Sequence, residues 1–241
     1  MTEFIDIHCH ILPGIDDGPD TVDTALRMLQ LAKRDGIKEI IATPHIMEGV
    51  YINKRYDIQK SLVSLRERAD ILPIGIGAEI RIGRDTLQRL LDGDYPTLND
   101  GKYALIEFPF YSLPPLEEIE RIIKNFILNG IIPIVAHPEK NIMILNNLRI
   151  LKRLTKRGVL FQATASSIIN GSYRIQKTTL RMIKNGYIHV IASDAHDPVH
   201  RPPLLSEAYI RIKRVFSEKE AKRLFLENPW RIIKGEEVIP L

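Results

Sequence analysis

Four times in this chain a helical stretch runs into a polar residue and a glycine, and a short apolar strand follows at once. Asp35-Gly36 precedes the strand 37–43, Asn129-Gly130 precedes 131–136, Arg157-Gly158 precedes 159–163, and Asn185-Gly186 precedes 187–193. Glycine just past a helix end supplies the left-handed backbone conformation that ends the helix. The strands are β-branched and almost continuously apolar, as strands buried on both faces are. The segments 3–8, 71–78 and 103–108 read the same way and bring the count to seven strands. The helices are amphipathic: Val22, Ala25, Leu26, Leu29 and Ala32 fall on one stripe. Helix–strand alternation of this kind predicts a parallel α/β sheet with right-handed crossovers, either open or closed as a TIM-like (β/α)7 barrel. No Gly-x-Gly-x-x-Gly follows the first strand, and candidate ligands end most of the strands. A site fed from every strand favours the barrel. No linker-like segment divides residues 1–241, which predicts one domain.

Composition narrows the setting. Of 241 residues, 44% are hydrophobic and 27% charged, as in ordinary globular proteins. No apolar run approaches the ~18 residues of a membrane helix, so no membrane insertion is expected. Met1-Thr2-Glu3-Phe4-Ile5-Asp6 lacks the basic and apolar regions of a secretory leader. The single cysteine, Cys9, excludes an internal disulfide framework and a cysteine-based zinc site. Together these features predict a cytoplasmic protein. The net charge of +4 hides an asymmetry, −8 over residues 1–120 and +12 over 121–241. The basic residues are dispersed over the helical stretches 147–157, 174–184 and 211–223. There is no Lys/Arg block and no interleaved aromatic run, so they read as solvated helix faces and no nucleic acid is expected.

Five of the seven histidines sit at strand ends with polar company. His8 and His10 end the first strand in His-Cys-His; alternation puts both imidazoles on one face and turns Cys9 to the other. Asp16 and Asp17 follow in the next loop. His45 comes after the second strand, Glu79 after the third, Glu107 ends the fourth, and His137 follows the fifth. The seventh ends in Asp194-Ala-His196. One strand-end histidine is commonly a loop residue. An unpaired carboxylate at the end of a buried strand costs several kcal/mol, and so many donors at one end of the sheet point to metal. Imidazole and carboxylate without thiolate suit Mn, Fe or Zn, and the number of donors fits two or three ions. Glu79, Glu107, Asp194 and one of Asp16 and Asp17 leave three divalent ions with net positive charge, which matches a phosphate ester. Clustered ions would lower the pKa of a bound water and neutralise charge in the transition state.

The segments Asp6-Ile7-His8-Cys9-His10, Ala42-Thr43-Pro44-His45, Gly77-Ala78-Glu79, Ile134-Val135-Ala136-His137-Pro138 and Ala192-Ser193-Asp194-Ala195-His196 resemble motifs of the PHP (polymerase and histidinol phosphatase) superfamily. Leu12-Pro13-Gly14-Ile15-Asp16-Asp17-Gly18, Thr97-Leu98-Asn99-Asp100 and Tyr103-Ala104-Leu105-Ile106-Glu107-Phe108-Pro109-Phe110 are similar to its bacterial manganese-dependent protein-tyrosine phosphatases, the capsule and exopolysaccharide type. The resemblance runs from Ile5 to about Pro229. It implies a distorted seven-stranded barrel (the PHP fold), three metal ions with Mn²⁺ foremost, and hydrolysis of phosphotyrosine on a partner bacterial tyrosine kinase. It implies metal ligands at His8, His10, Asp17, His45, Glu79, Glu107, His137, Asp194 and His196, choosing Asp17 over Asp16. It also implies a phosphate-binding arginine at Arg201. The family's arginine after His-Pro-Glu is Lys140 here, which keeps the charge and loses the bidentate fork. The runner-up is a PHP phosphoesterase acting on a small substrate such as histidinol phosphate. An amidohydrolase would be expected to carry a metal-bridging lysine where Glu79 and Glu107 stand. A nucleic-acid-binding module would leave the donor set without a role.

Overall fold

Each of the four helix-ending glycines takes the left-handed conformation: φ is 100° at Gly36, 77° at Gly130, 88° at Gly158 and 71° at Gly186. The computed structural model describes residues 3–68 and 71–240. Met1 and Thr2, where the leader reading begins, lie outside the described residues. Among the described residues there are nine strand segments: β1 (Phe4–Cys9), β2 (Ile37–Ala42), β3 (His45–Ile46), β4 (Ile74–Ile76), β5 (Glu79–Arg81), β6 (Tyr103–Glu107), β7 (Ile132–Ala136), β8 (Leu160–Thr164) and β9 (Val190–Ala192). They form two parallel sheets, β1-β2-β4 and β3-β5-β6-β7-β8-β9. The architecture is α/β of the TIM-like kind.

The expected second and third strands are stepped rather than continuous. Pro44 carries no N–H to extend the ladder, so the chain leaves β2 at Ala42 and resumes as β3. The next strand breaks at Gly77-Ala78, at the same level, and Glu79 N–H donates to Pro44 O at 3.1 Å across the step. This strand also starts only at Ile74, after Pro73, not at residue 71. The last strand condenses from 187–193 to Val190–Ala192. The helical stretch 211–223 is interrupted too. A helix covers Ser206–Val215, and Ser217 Oγ then accepts from Glu220 N–H to cap a second short helix, Glu218–Lys222. Among the described residues no helix is long and apolar enough to cross a membrane.

β1 and the segment after β9 are tied directly. His10 N–H donates to Ala195 O and Asp194 N–H to His8 O, both at 2.8 Å, and Cys9 bridges Ala195 in parallel fashion. Asp6 strengthens the join: its Oδ1 accepts from Ser193 N–H at 3.0 Å and its Oδ2 pairs with the Ser193 hydroxyl. The strands are apolar on both faces because each face has its own core. The larger core packs Cys9, Ile40, Ile80, Ile106, Val135 and Phe161 against the helices. The smaller one gathers Ile7, Ile41, Leu105, Ile134, Val190 and Ile232. Donors that leave the C-terminal ends of these strands therefore converge on one rim.

Candidate metal centre

All nine residues implied as ligands meet at that rim. Their donor atoms form four overlapping groups, each within 4.8 Å: His10, Asp17, His45 and His196; His8, Glu79 and His137; His8, His10 and Asp194; and His45, Glu79 and Glu107. Local backbone geometry delivers them. His45 and Glu79 open β3 and β5, side by side in register. Glu107 closes β6, while His137 and Asp194 follow β7 and β9 in left-handed conformations, φ 32° and 54°. Such backbone costs about 1–3 kcal/mol per residue and persists where the surroundings enforce it, often at working sites. The β1–β2 register slips between Asp6 and Cys9, where Asp6 Oδ1 accepts the His8 N–H at 3.3 Å. An irregularity of that kind re-aims a side chain next to a site.

Glu79 is the hub. Its Oε1 lies 2.7 Å from His137 Nε2. Its Oε2 faces His45 Nδ1 at 3.0 Å, His8 Nε2 at 3.3 Å and His10 Nε2 at 3.4 Å. Despite those neighbours Glu79 Oε2 makes no hydrogen bond, and neither does the buried His196 Nε2. Ring nitrogens and a carboxylate oxygen crowded together without hydrogen-bond geometry are arranged as ligands to shared cations are. A group of donors buried this deeply fits divalent metal.

Neighbouring groups fix the rings. Gln162 Oε1 accepts from His8 Nδ1 at 2.8 Å, which leaves Nε2 for the centre. Asp16 Oδ2 accepts from His10 Nδ1 at 2.7 Å and from His45 N–H at 2.9 Å. This separates the two aspartates that spacing alone left open: Asp16 orients a histidine, and Asp17 faces His45 and His196 at 3.5 and 3.4 Å. Burial opposes charge on His10, yet Asp16 and Glu79 lift it to about 10. Asp194 stays well below the usual carboxylate range; burial acts against this, and Lys140 and His8 outweigh it. A site that draws positive charge onto its imidazoles attracts a divalent cation to the same nitrogens.

Arg201 and Lys140 both reach the centre through Asp194. Arg201 donates to Asp194 Oδ1 at 2.9 Å, and Lys140 pairs with Oδ2. Each keeps an exposed edge, so both cations border the rim. Cys9 is fully buried in the larger core. Burial pushes its thiol well above the ordinary value. Tyr51 stacks on His45, with centroids 5.6 Å apart and planes 9° apart, and Phe110 lies over His137 at 5.6 Å. A cleft of about 700 Å³ beside the centre is lined by Tyr51, Arg81 and Arg84 among others. The motif reading missed Gln162, Arg81 and Tyr51. The signal for Gln162 was a polar residue inside an apolar strand; for Arg81 it was a cation two positions after Glu79, on the same strand face.

The capsular polysaccharide synthesis family CpsB/CapC matches residues 4–234 of this chain. The chain belongs to the CpsB/CapC family. A curated relative, the tyrosine-protein phosphatase YwqE of Bacillus subtilis, is 35% identical over 97% of this chain and 93% of its own. The tyrosine-protein phosphatase CpsB of Streptococcus pneumoniae is 33% identical over 96% of this chain and 99% of its own. Crystal structures of YwqE and CpsB, described as metal-dependent tyrosine phosphatases, include a chain that superimposes with a TM-score of 0.93 at 34% identity, over 98% of this chain and 97% of that one. A dihydropyrimidinase from Brevibacillus agri shares the fold alone, with a TM-score of 0.58 at 12% identity over 96% of this chain and 70% of that one. CpsB/CapC membership thus accords with the motifs, and the amidohydrolase likeness is confined to architecture.

Proposed function

We propose that this CpsB/CapC protein is a metal-dependent phosphatase that hydrolyses phosphotyrosine on a protein. The carrying observation is the Glu79 carboxylate, ringed by His8, His10, His45 and His137 and bordered by the Arg201 and Lys140 cations through Asp194. The relatives CpsB and YwqE are named tyrosine-protein phosphatases. In this reading His10, Asp17, His45 and His196 would hold one ion, and His8, Glu79, Glu107, His137 and Asp194 would complete a centre of two or three. The histidine-rich donor set favours Mn²⁺ over Mg²⁺, with Fe or Zn as alternatives. When bound, such ions lower the pKa of water and neutralise charge on phosphoryl oxygens.

The remaining chemistry belongs to the chain. Arg201 offers a planar fork and Lys140 a point charge to the phosphoryl oxygens. Asp16 and Gln162 hold His10 and His8 with Nε2 inward. A phenol leaves at a pKa near 10, so charge stabilisation carries most of the burden and a strong general acid is dispensable. The partner that fits this reading is a bacterial tyrosine kinase in the cytoplasm. We read the architecture as one domain over residues 1–241 and a distorted seven-stranded barrel. Joining β2 to β3 and β4 to β5 across their steps leaves seven strands, and the Cys9–Ala195 bridge supports closure between β1 and β9.

The test sets a phosphotyrosine peptide beside histidinol phosphate, with metal analysis of the same preparation. The peptide should be turned over and histidinol phosphate barely so; EDTA should abolish turnover, and Mn²⁺ should restore it better than Mg²⁺. Full activity in a preparation shown to be metal-free would sink the proposal. Preference for histidinol phosphate would replace it with the small-substrate reading.

A further inference from the structure

The two buried glutamates of the centre differ in how their oxygens are engaged. Both oxygens of Glu79 face imidazole nitrogens. Glu107 is divided: its Oε1 points toward His137 Nε2 at 3.7 Å, whereas its Oε2 accepts a hydrogen bond from Arg81 Nε at 2.8 Å and is ion-paired with Arg81 Nη2 at the same distance. Both guanidinium donors therefore converge on a single oxygen. Sheet register builds this pair, since Arg81 stands opposite Glu107 across β5 and β6, and Ile82 N–H donates to Glu107 O at 3.1 Å. The side chain of Glu107 is only 2% exposed and that of Arg81 24%, so Arg81 closes the rim between the carboxylate and the cleft.

A carboxylate placed next to divalent ions can give one oxygen or two. Charge-assisted bonds from a planar fork occupy the lone pairs of the oxygen they reach, and a second partner of this kind fixes the orientation of a metal-binding carboxylate. We propose that Arg81 is a positioning residue that confines Glu107 to one metal-binding oxygen, and so sets the affinity of the ion it shares with His45 and Glu79. The inference rests on the reading of Glu107 as a metal ligand. A cation inside a centre that must attract cations weakens attraction at long range; its bonds to Oε2 offset that by holding Oε1 inward, so geometry rather than net charge governs the outcome.

Arg81→Met, Arg81→Lys, Glu107→Gln and the Arg81→Met/Glu107→Gln double variant would be purified and stripped. Each would be titrated with Mn²⁺, bound metal per chain being counted by elemental analysis. Arg81→Met should weaken one binding step of the titration by about 10–100-fold, the usual effect of losing an outer partner, and Glu107→Gln should weaken the same step. Arg81→Lys should recover part of that loss, because it keeps the charge but supplies no fork. In the Glu107→Gln background Arg81→Met should add little, since the oxygen it orders is already altered. Unchanged Mn²⁺ affinity in Arg81→Met, or full additivity in the double variant, would overturn the proposal. If Arg81→Met does not fold, the Arg81→Lys titration decides it, wild-type affinity there counting against the fork. Normal Mn²⁺ binding by Glu107→Gln would instead remove the ligand reading itself, an outcome distinct from failure of Arg81 alone.

Discussion

Cys9 stands between His8 and His10, the place where a thiol nucleophile would be sought in a tyrosine phosphatase. The surroundings argue against that role. Its side chain is fully buried among apolar residues and its thiol is pushed up, so the thiolate needed for attack is scarce at neutral pH. The sequence also lacks the Cys-x₅-Arg loop, since the residue six positions on is Ile15. Cys9→Ser should therefore keep most activity, lose some stability, and form no covalent phosphoenzyme under acid quench; a folded, fully metallated but inactive variant would reopen the thiol route. His189 shows a different use of burial. Burial first, and then the Arg223 guanidinium, hold His189 down to about 4. Its Nδ1 accepts from Phe161 N–H at 3.1 Å, a bond that needs the neutral ring. The unfolded chain takes up that proton near pH 6.5, before the native state does. The stability tied to the neutral ring is thus complete above about pH 6.5 and is lost as the pH falls toward about 4, on the order of 3 kcal/mol at most. His189→Asn keeps an acceptor without a proton to gain. In chelator, its denaturation free energy should fall less steeply between pH 6.5 and 4 than that of the parent; coincident slopes would contradict this account.

At the scale of elements, local chemistry declares itself where one residue type decides the backbone. Gly36, Gly130, Gly158 and Gly186 mark helix ends in the sequence and take positive φ in the structure. The steps at Pro44 and Gly77 were not legible, because an apolar run does not say where a neighbouring strand will stop pairing. Glu79 is expected after the third strand, yet it opens β5, and only the paired break beside His45 accounts for its position. The same logic hid the interruption at Ser217, whose capping bond depends on how two helices cover the strands. Gly77, at one of these steps, has no room for a side chain. A Cβ there would lie 2.9 Å from both Ile41 Cγ2 and Leu98 Cδ2, and 3.3 Å from Ala42 O. Ile41 and Leu98 are fully buried and have little room to yield. Gly77→Ala should destabilise by about 1–3 kcal/mol, the usual cost of overpacking. A lower urea midpoint with an unchanged m-value would register it, and an unshifted midpoint would show that the step tolerates a side chain.

For the whole molecule, the fold and the centre depend on each other. Donors from β1, β3, β5, β6, β7 and β9 were recognisable singly, as polar residues ending apolar runs. Their convergence follows from all the strands being parallel, which sends the C-terminal ends of β1, β6, β7 and β9 to one rim, and from the paired steps that bring His45 and Glu79, opening β3 and β5, to the same level. What remained hidden were the partners that aim them: Gln162, Asp16 and Arg81 act through contacts between residues far apart in sequence or through a turn, which spacing cannot disclose. The convergence also has a cost. Glu79, Glu107, Asp194, His8 and His10 are all buried, and Glu79 Oε2 and His196 Nε2 find no hydrogen bond. Ions that bind this arrangement and not the unfolded chain must stabilise the native state, by about 2.7 kcal/mol at a free concentration one hundred times Kd. For a chain of this size that corresponds to roughly 5–10 °C in Tm. Stripping with chelator should lower Tm by that amount, and Mn²⁺ should restore it with a dependence on the logarithm of its concentration. Arg201→Ala separates this effect from catalysis. Arg201 touches Asp194 from the exposed side, so the variant should retain the metal-dependent rise in Tm while kcat/KM on a phosphotyrosine peptide falls by roughly 10²–10³. A Tm indifferent to Mn²⁺ would mean that these donors are a structural network, and the metal centre proposed for this rim would have to be abandoned.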